Sequence, residues 1–323
     1  MAGTQVASGD ALAVKLYSAA VFANTQRKNT FTNRMTGPSP SQSDAESKIR
    51  NQTSPDYPIV RVTDLSDTAG DQLTVDLFHT IGGKPIVGDR QAEGRGERLT
   101  TSTQEVKIDL LTKVVDAGGK MTAKRTKHNL RRIALAQLVN YFAKLNDQQT
   151  LVHLAGNRGF DSGPDWVVPL ATDADFADIM INAVKAPTYN RHFVADGTAL
   201  VRGGAQLASI DSTDLLALEH IDALSVMLSE DQFKLQPIKI DDDPAAEDEP
   251  MYLLMVSHRA WHGVATKTSG QNWRTFLQNA WNRASYGSKH PLFKGEAGMW
   301  GNILVRKMER NVRFSPSSVI RSA

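Results

Sequence analysis

Between residues 82 and 96 five glycines, Gly82, Gly83, Gly88, Gly94 and Gly96, crowd into a polar, charged stretch. On either side the chain alternates apolar and polar, LTVDLF at 73–78 before it and QEVKIDL at 104–110 after it. A period of two marks a strand with two unlike faces. Two such strands around a long glycine-rich tip predict a long β-hairpin over residues 67–112. The far end of that hairpin has too few apolar residues to build a core of its own. It needs a partner surface, so the chain is expected to work by touching copies of itself.

Composition narrows the class. A chain of 323 residues, 41% hydrophobic and 22% charged, can bury one large core or two modest ones. No apolar run approaches the roughly 20 residues of a membrane helix. Residues 1–5 carry neither a basic region nor an apolar run, so no signal peptide is expected. Cysteine is absent, which excludes disulfides, thiolate catalysis and cysteine metal sites. A formal charge of +2 argues against a dedicated DNA-binding protein with a broad basic face.

Around the hairpin the chain divides into unlike parts. Residues 1–66 read as an arm. One amphipathic helix is expected at 10–22, a breaker run follows at 37–44, and Pro55 and Pro58 hold the next backbone extended. Such a segment is expected to order only against something else. After the hairpin, Gly118 and Gly119 make a flexible joint. The strongest helix then runs over about 122–155, with Leu130, Ala134, Leu138, Phe142, Leu145 and Val152 on one face and Gly156 as its stop. Some 30 residues would make a spine about 45 Å long.

Residues 160–290 mix helices and strands. A helix is expected to start at Asp211 or Ser212, with Asp214 in its first turn and Leu215, Leu218, Ile221, Leu224 and Leu228 on its apolar face. Strands are expected at 237–240 and 251–256, joined by the acidic loop 241–249. A further helix carries Trp273, Phe276, Leu277, Ala280 and Trp281 as one stripe. Short strands close the sequence at 302–308 and 312–314.

Few residues suggest chemistry. Lys120, Lys124, Arg125, Lys127, Arg131 and Arg132 cluster at the expected start of the spine, where cations oppose the helix dipole. Two readings stand open for them: contact with acidic groups on a neighbour or with DNA phosphates, and a solvated basic face. The acidic loop lacks the spacing of a calcium loop and is expected to be solvated. His258 and His262 would share a helix face, but no glutamate lies between them and no third ligand stands out, so a structural pair is expected rather than zinc. The glycines around Arg95 lack the third glycine of a dinucleotide fingerprint. No nucleophile elbow, phosphate loop or kinase set appears, so no catalytic, cofactor-binding or metal residues are assigned. Trp261, Trp273, Trp281 and Trp300 have aliphatic neighbours and are expected to pack in a core or an interface rather than stack on bases.

The order of arm, long hairpin, spine helix, mixed domain and terminal strands resembles the major capsid proteins of tailed phages, nearest to the phage N4-like major capsid family. Two stretches carry the resemblance. One runs from GDQLTVDL at 70–77 through IGGKPIVGD at 81–89 and Glu93–Gly94 to KIDL at 107–110. The other runs from MYLLMVSH at 251–258 through the Trp-rich helix to PLFKGEAGMWGNILV at 291–305. Together they cover most of residues 65–314.

The resemblance implies an α+β tailed-phage capsid fold. It has an N-terminal arm (1–66), an extended β-hairpin loop (67–112), a peripheral domain with the spine helix (113–159 and 291–323) and an axial domain (160–290). It implies a non-enzymatic major capsid protein that self-assembles, as pentamers and hexamers, into an icosahedral head shell around double-stranded DNA. The partners implied are further copies of the chain, portal, scaffolding and decoration proteins, and the packaged DNA through non-specific contacts. No membrane and no cofactor is implied. The location implied is the virion, after assembly in the host cytoplasm. Gly82, Gly83, Lys84, Gly88, Gly94, Gly96, Gly118 and Gly119 become interface or hinge candidates. Some capsids of this fold cross-link Lys to Asn, which makes Lys84 a conceivable donor, although nothing fixes an acceptor. The alternatives are an encapsulin-like compartment of the same fold and, in a different class, an enzyme with its cleft in 160–290.

Overall fold

The computed structural model describes residues 24–25, 30–36, 58–62, 72–78, 81–88, 93–94, 96–116, 118, 120–160, 165–197, 199–203, 209–231, 234–235, 237–238, 250–284, 297–308 and 311–312. The helix expected at 10–22, the breaker run at 37–44, Gly119, the acidic loop 241–249 and Phe314 lie outside these residues.

The arm contributes α1 (Phe31–Met35), capped by the Thr30 hydroxyl, which accepts from Asn33 N at 3.4 Å. This segment of the arm sits on its own chain. The buried carboxylate of Asp147 accepts from Phe31 N at 3.1 Å, Thr32 N at 3.0 Å and the Thr32 hydroxyl at 2.7 Å. A buried charge is tolerated only when donors surround it in this way. Met35 is buried, and its carbonyl accepts from Ile59 N at 3.1 Å. Arg61 donates to Asn33 Oδ1 at 2.8 Å, and burial lowers the pKa of its guanidinium.

The expected hairpin forms from β1 (Gln72–Phe78) and β2 (Thr101–Lys107). They pair antiparallel, Gln72 opposite Lys107 and Phe78 opposite Thr101. After the hairpin the spine departs from expectation. Instead of one helix from 122, a short α2 (Lys120–Arg125) stops before α3 (Leu130–Ala155). Asn129 sets the break, its side-chain oxygen accepting from Arg132 N at 3.2 Å as the N-cap of α3. The 26 residues of α3 make a rod about 39 Å long. It ends at Gly156, whose φ of 69° is left-handed and whose missing side chain leaves room for Pro187. Val139, Ala143, Leu145, Leu151 and Val152 are buried along α3, while Leu130, Ala134, Leu138 and Phe142 are half-buried.

The buried side chain of Gln148 holds the following loop to the spine in place of a strand. Its Oε1 accepts from Val167 N at 2.7 Å and Val168 N at 3.1 Å, and its Nε2 donates to the Asp165 carbonyl at 2.6 Å. Arg158, also buried, donates from Nε to the Val168 carbonyl at 2.9 Å and lies 4.0 Å over the Trp166 ring. Next come α4 (Asp175–Ile179) and a small hairpin of β3 (Phe193–Asp196) and β4 (Ala199–Arg202), which the alternation pattern did not reveal.

The helix expected from Asp211 begins later, as α5 (Leu218–Glu230). Residues 211–214 form a turn instead. Thr213 N and its hydroxyl both donate to Asp211 Oδ1 at 2.6 Å, and Asp211 N donates to Asp214 Oδ2 at 2.8 Å. The hydrogen bonds from Thr213 hold the Asp211 carboxyl below its ordinary pKa.

The centre of the molecule is a three-stranded mixed sheet. β5 (Tyr252–Ser257) leads directly into α6 (His258–Lys267), which Ser257 caps through Ala260 N at 3.0 Å. Then follow α7 (Gly270–Ala284), β6 (Ala297–Trp300) and β7 (Ile303–Met308). β7 lies between a parallel β5 and an antiparallel β6, and its first four residues are buried, as expected of a strand covered on both faces. Ile303 and Val305 face α5, α6 and α7, with Trp261, Val264 and Phe276. Leu304 faces the other way, with Met35, Met251 and Met299. Trp261, Trp273 and Phe276 form a triangle of rings with centroids 5.4 to 5.5 Å apart, each such pair contributing about 1 kcal/mol beyond area burial. Trp281, expected in the same stripe, is 81% exposed. At the strand expected from 237, Ile238 N donates to the Met251 carbonyl at 2.9 Å, but residues 237–238 form no strand. Nor do residues 311–312 at the expected last strand.

Candidate functional site

Among the described residues, the β1–β2 ribbon pairs with no third strand. Every residue of β2 is exposed except the half-buried Val106. Apolar side chains therefore stand in solvent along the ribbon and its continuation: Ile81 is 73% exposed, Val87 69%, Leu110 85% and Val114 84%. Two strands without a covered face are marginal in water. Polar contacts hold the ribbon's shape instead, and between the strands the Thr103 hydroxyl donates to Asp76 Oδ1 at 3.0 Å. At the tip, Glu97 Oε1 accepts from Gly82 N at 3.1 Å, folding the return segment across Gly82 and Gly83. At the base, Asn182 grips Lys107 twice: Lys107 N donates to Oδ1 at 2.9 Å, and Nδ2 donates to the Lys107 carbonyl at 2.8 Å.

The candidate glycines fall into two groups. Gly83, Gly88, Gly94 and Gly118 have positive φ, at 136°, 68°, 77° and 76°. A side chain at Gly83 would also meet Glu97 at 3.0 Å. Gly82 and Gly96 have open space around them. Lys84 is exposed at the tip. Gly118 lies between the ribbon and α2, and its N–H donates to Asp116 Oδ1 at 2.8 Å. Asn182, Glu97, Asp147 and Gln148 were not singled out in the sequence. Each acts through a partner distant along the chain, which no local pattern reports.

The basic cluster does not sit as one group at a helix start. Lys124 and Arg125 occupy the last turn of α2, where a cation is favourable. Lys127 lies in the break, and Arg131 and Arg132 lie in the first turn of α3. All five are exposed; Lys120 opens α2. His258 and His262 are both on the exposed surface of α6. Among the described residues, no group of three or more His, Asp or Glu could hold a metal ion, and no helix is long and apolar enough to cross a membrane. Burial lowers the pKa of His192, favouring its neutral form.

The family model described as phage capsid protein matches residues 5–323. Among solved structures, the chain is similar to the capsid of Ralstonia phage GP4, at 25% identity and a TM-score of 0.66, over 97% of this chain and 78% of that one. It is also similar to the cyanophage Pam1 capsid asymmetric unit, at 18% identity and a TM-score of 0.50, over 76% of this chain and 63% of that one. Comparison with curated protein sequences finds no significant match. The α+β fold, with an uncored ribbon projecting from a packed body, is that of a tailed-phage coat subunit. The chain belongs to the phage capsid protein family and is a major capsid protein, a structural component of the virion that forms the head shell.

Proposed function

We propose that the hairpin over 67–112 laps across the neighbouring subunit and completes its burial there. The exposure of Ile81, Val87, Leu110 and Val114 carries this reading, because among the described residues the ribbon pairs with no third strand. Burial of apolar surface contributes on the order of 25 cal/mol per Å², so several such laps per subunit hold a shell together while each single contact stays weak enough to correct. The arm over 1–66 extends the connection, anchored at α1 by Asp147. In this reading residues 113–159 and 291–323 form a peripheral domain. Residues 160–290 form an axial domain packed around five-fold and six-fold axes. Gly118 and Gly119 form the joint between ribbon and body.

The exposed cations Lys124, Arg125, Lys127, Arg131 and Arg132, together with Lys120, face packaged double-stranded DNA or acidic groups of a neighbour. Portal and scaffolding proteins complete the assembly, which takes place in the host cytoplasm. The test replaces residues 79–100 with an Asn-Gly turn, which keeps β1 and β2 paired. Circular dichroism and melting temperature should stay near the parent's, while electron microscopy finds no closed shells. Closed shells at the parent's yield would refute the lap.

A further inference from the structure

The ribbon is fastened to the body before the chain reaches Gly118. Three contacts follow one another along β2 and its continuation. Asn182 takes the main chain of Lys107, its Oδ1 accepting from Lys107 N at 2.9 Å and its Nδ2 donating to the Lys107 carbonyl at 2.8 Å. Leu111 packs against the buried cluster of Leu145, Val152, Val168 and Met180. The Lys113 ammonium lies 5.5 Å from the centroid of the Tyr141 ring on α3. Lys107 is the outermost of the three, where β1 and β2 leave the body, and Gly118 lies beyond them all.

Register explains why one side chain can hold Lys107 by both groups. In an antiparallel pair the N–H and C=O of a residue point to the same side, alternately toward and away from the partner strand. Both groups of Lys107 meet Asn182, so they point away from β1, although Lys107 lies opposite Gln72. A primary amide offers a donor and an acceptor in one plane, as a peptide group does. Asn182 thus stands where the first residue of a third strand would stand. Its own position is fixed on both sides. Met180 is buried, Val184 packs on the same cluster, and Gln149 Nε2 on α3 donates to the Ile179 carbonyl at 2.8 Å.

We propose that Asn182 is the positioning residue of the ribbon: it sets the ribbon's direction in the free subunit, so that the lap onto a neighbour begins from one orientation. This rests on the lap proposed above. A ribbon already set in its bound direction gives up less freedom on assembly, and shells form at a lower concentration of subunits.

The chain has no cysteine, so nitroxide labels attach only where a cysteine is introduced. Labels at Ser102→Cys on β2 and Asn140→Cys on α3, both exposed positions, report the ribbon's direction in dissociated subunits of the full chain. The parent should give one narrow distance peak. Asn182→Ala should give a broad distribution at a melting temperature near the parent's. So should Asn182→Asp, which sets a second acceptor against the Lys107 carbonyl. Lys107→Pro removes the N–H from the other partner, at an edge position where proline costs β1 no bond. It should broaden the distribution too, and adding Asn182→Ala to it should broaden it little further. The subunit concentration at which shells form should rise roughly tenfold in Asn182→Ala. A narrow peak retained in Asn182→Ala would overturn the proposal. A broadened peak with shells forming at the parent's concentration would overturn it as well, and would leave the lap standing. The lap itself is judged separately, by whether shells close without residues 79–100.

Discussion

Gly298 must be glycine because Phe276 occupies the space its side chain would need. A Cβ there would lie 1.9 Å from Phe276 Cε1, and Phe276 is fully buried. Overpacking of a rigid core costs typically 1–3 kcal/mol and sometimes more. Gly298→Ala should therefore lower stability by about 3 kcal/mol or more in denaturant unfolding. The same change in a Phe276→Leu background should cost clearly less, and equal costs in the two backgrounds would show that the two sites do not couple. At this scale the sequence was only partly legible. The stripe of Trp273, Phe276 and Ala280 was readable because it repeats at helical spacing. Trp281 continues the same stripe yet stands in solvent. Periodicity gives the face of a helix, not how far the core extends along it. Asp147 could not be read at all, since its partners Phe31 and Thr32 lie more than a hundred residues away.

At the scale of elements, local signals succeeded where they were strong and failed where a side chain offered the backbone an alternative partner. Gly156 ended the spine as expected because nothing else in the sequence competes with a left-handed stop there. Its start was misread because Asn129 caps α3 from inside an otherwise continuous apolar pattern. The helix expected at Asp211 starts late for a related reason: Asp211, Thr213 and Asp214 satisfy one another in a turn. β3 and β4, four residues each, are too short to alternate visibly. The joint around Gly118 makes its own prediction. Its φ of 76° suits glycine and resists β-branched residues. The family resemblance implies a precursor shell that expands, so replacing Gly118 and Gly119 with valine should leave the subunit folded and allow first assembly, yet hold shells at their initial diameter. Particles of the parent's final diameter would refute a hinge there.

For the molecule as a whole, three properties fit together: a packed mixed sheet, a near-neutral charge of +2 and a ribbon that pairs with no third strand among the described residues. The body is self-sufficient, with buried clusters on both faces of β7. The ribbon lacks such a cluster among the described residues, and polar contacts from Asn182, Glu97 and the Thr103–Asp76 pair shape it. The resemblance read from the sequence anticipated the capsid fold because the order of parts survives where single motifs do not. It did not anticipate that residues 31–36 and 58–62 would dock on their own chain, which confines any exchange between subunits to the rest of the arm.

The central claim is that the ribbon finds its stabilising contacts in another subunit. Amide hydrogen exchange, compared between dissociated subunits and assembled shells, tests it most directly. Residues 72–116 should exchange rapidly in the subunit and become at least about a hundredfold slower in the shell, while β5 and β7 are protected in both. Equal exchange of the ribbon in the two states would contradict the account.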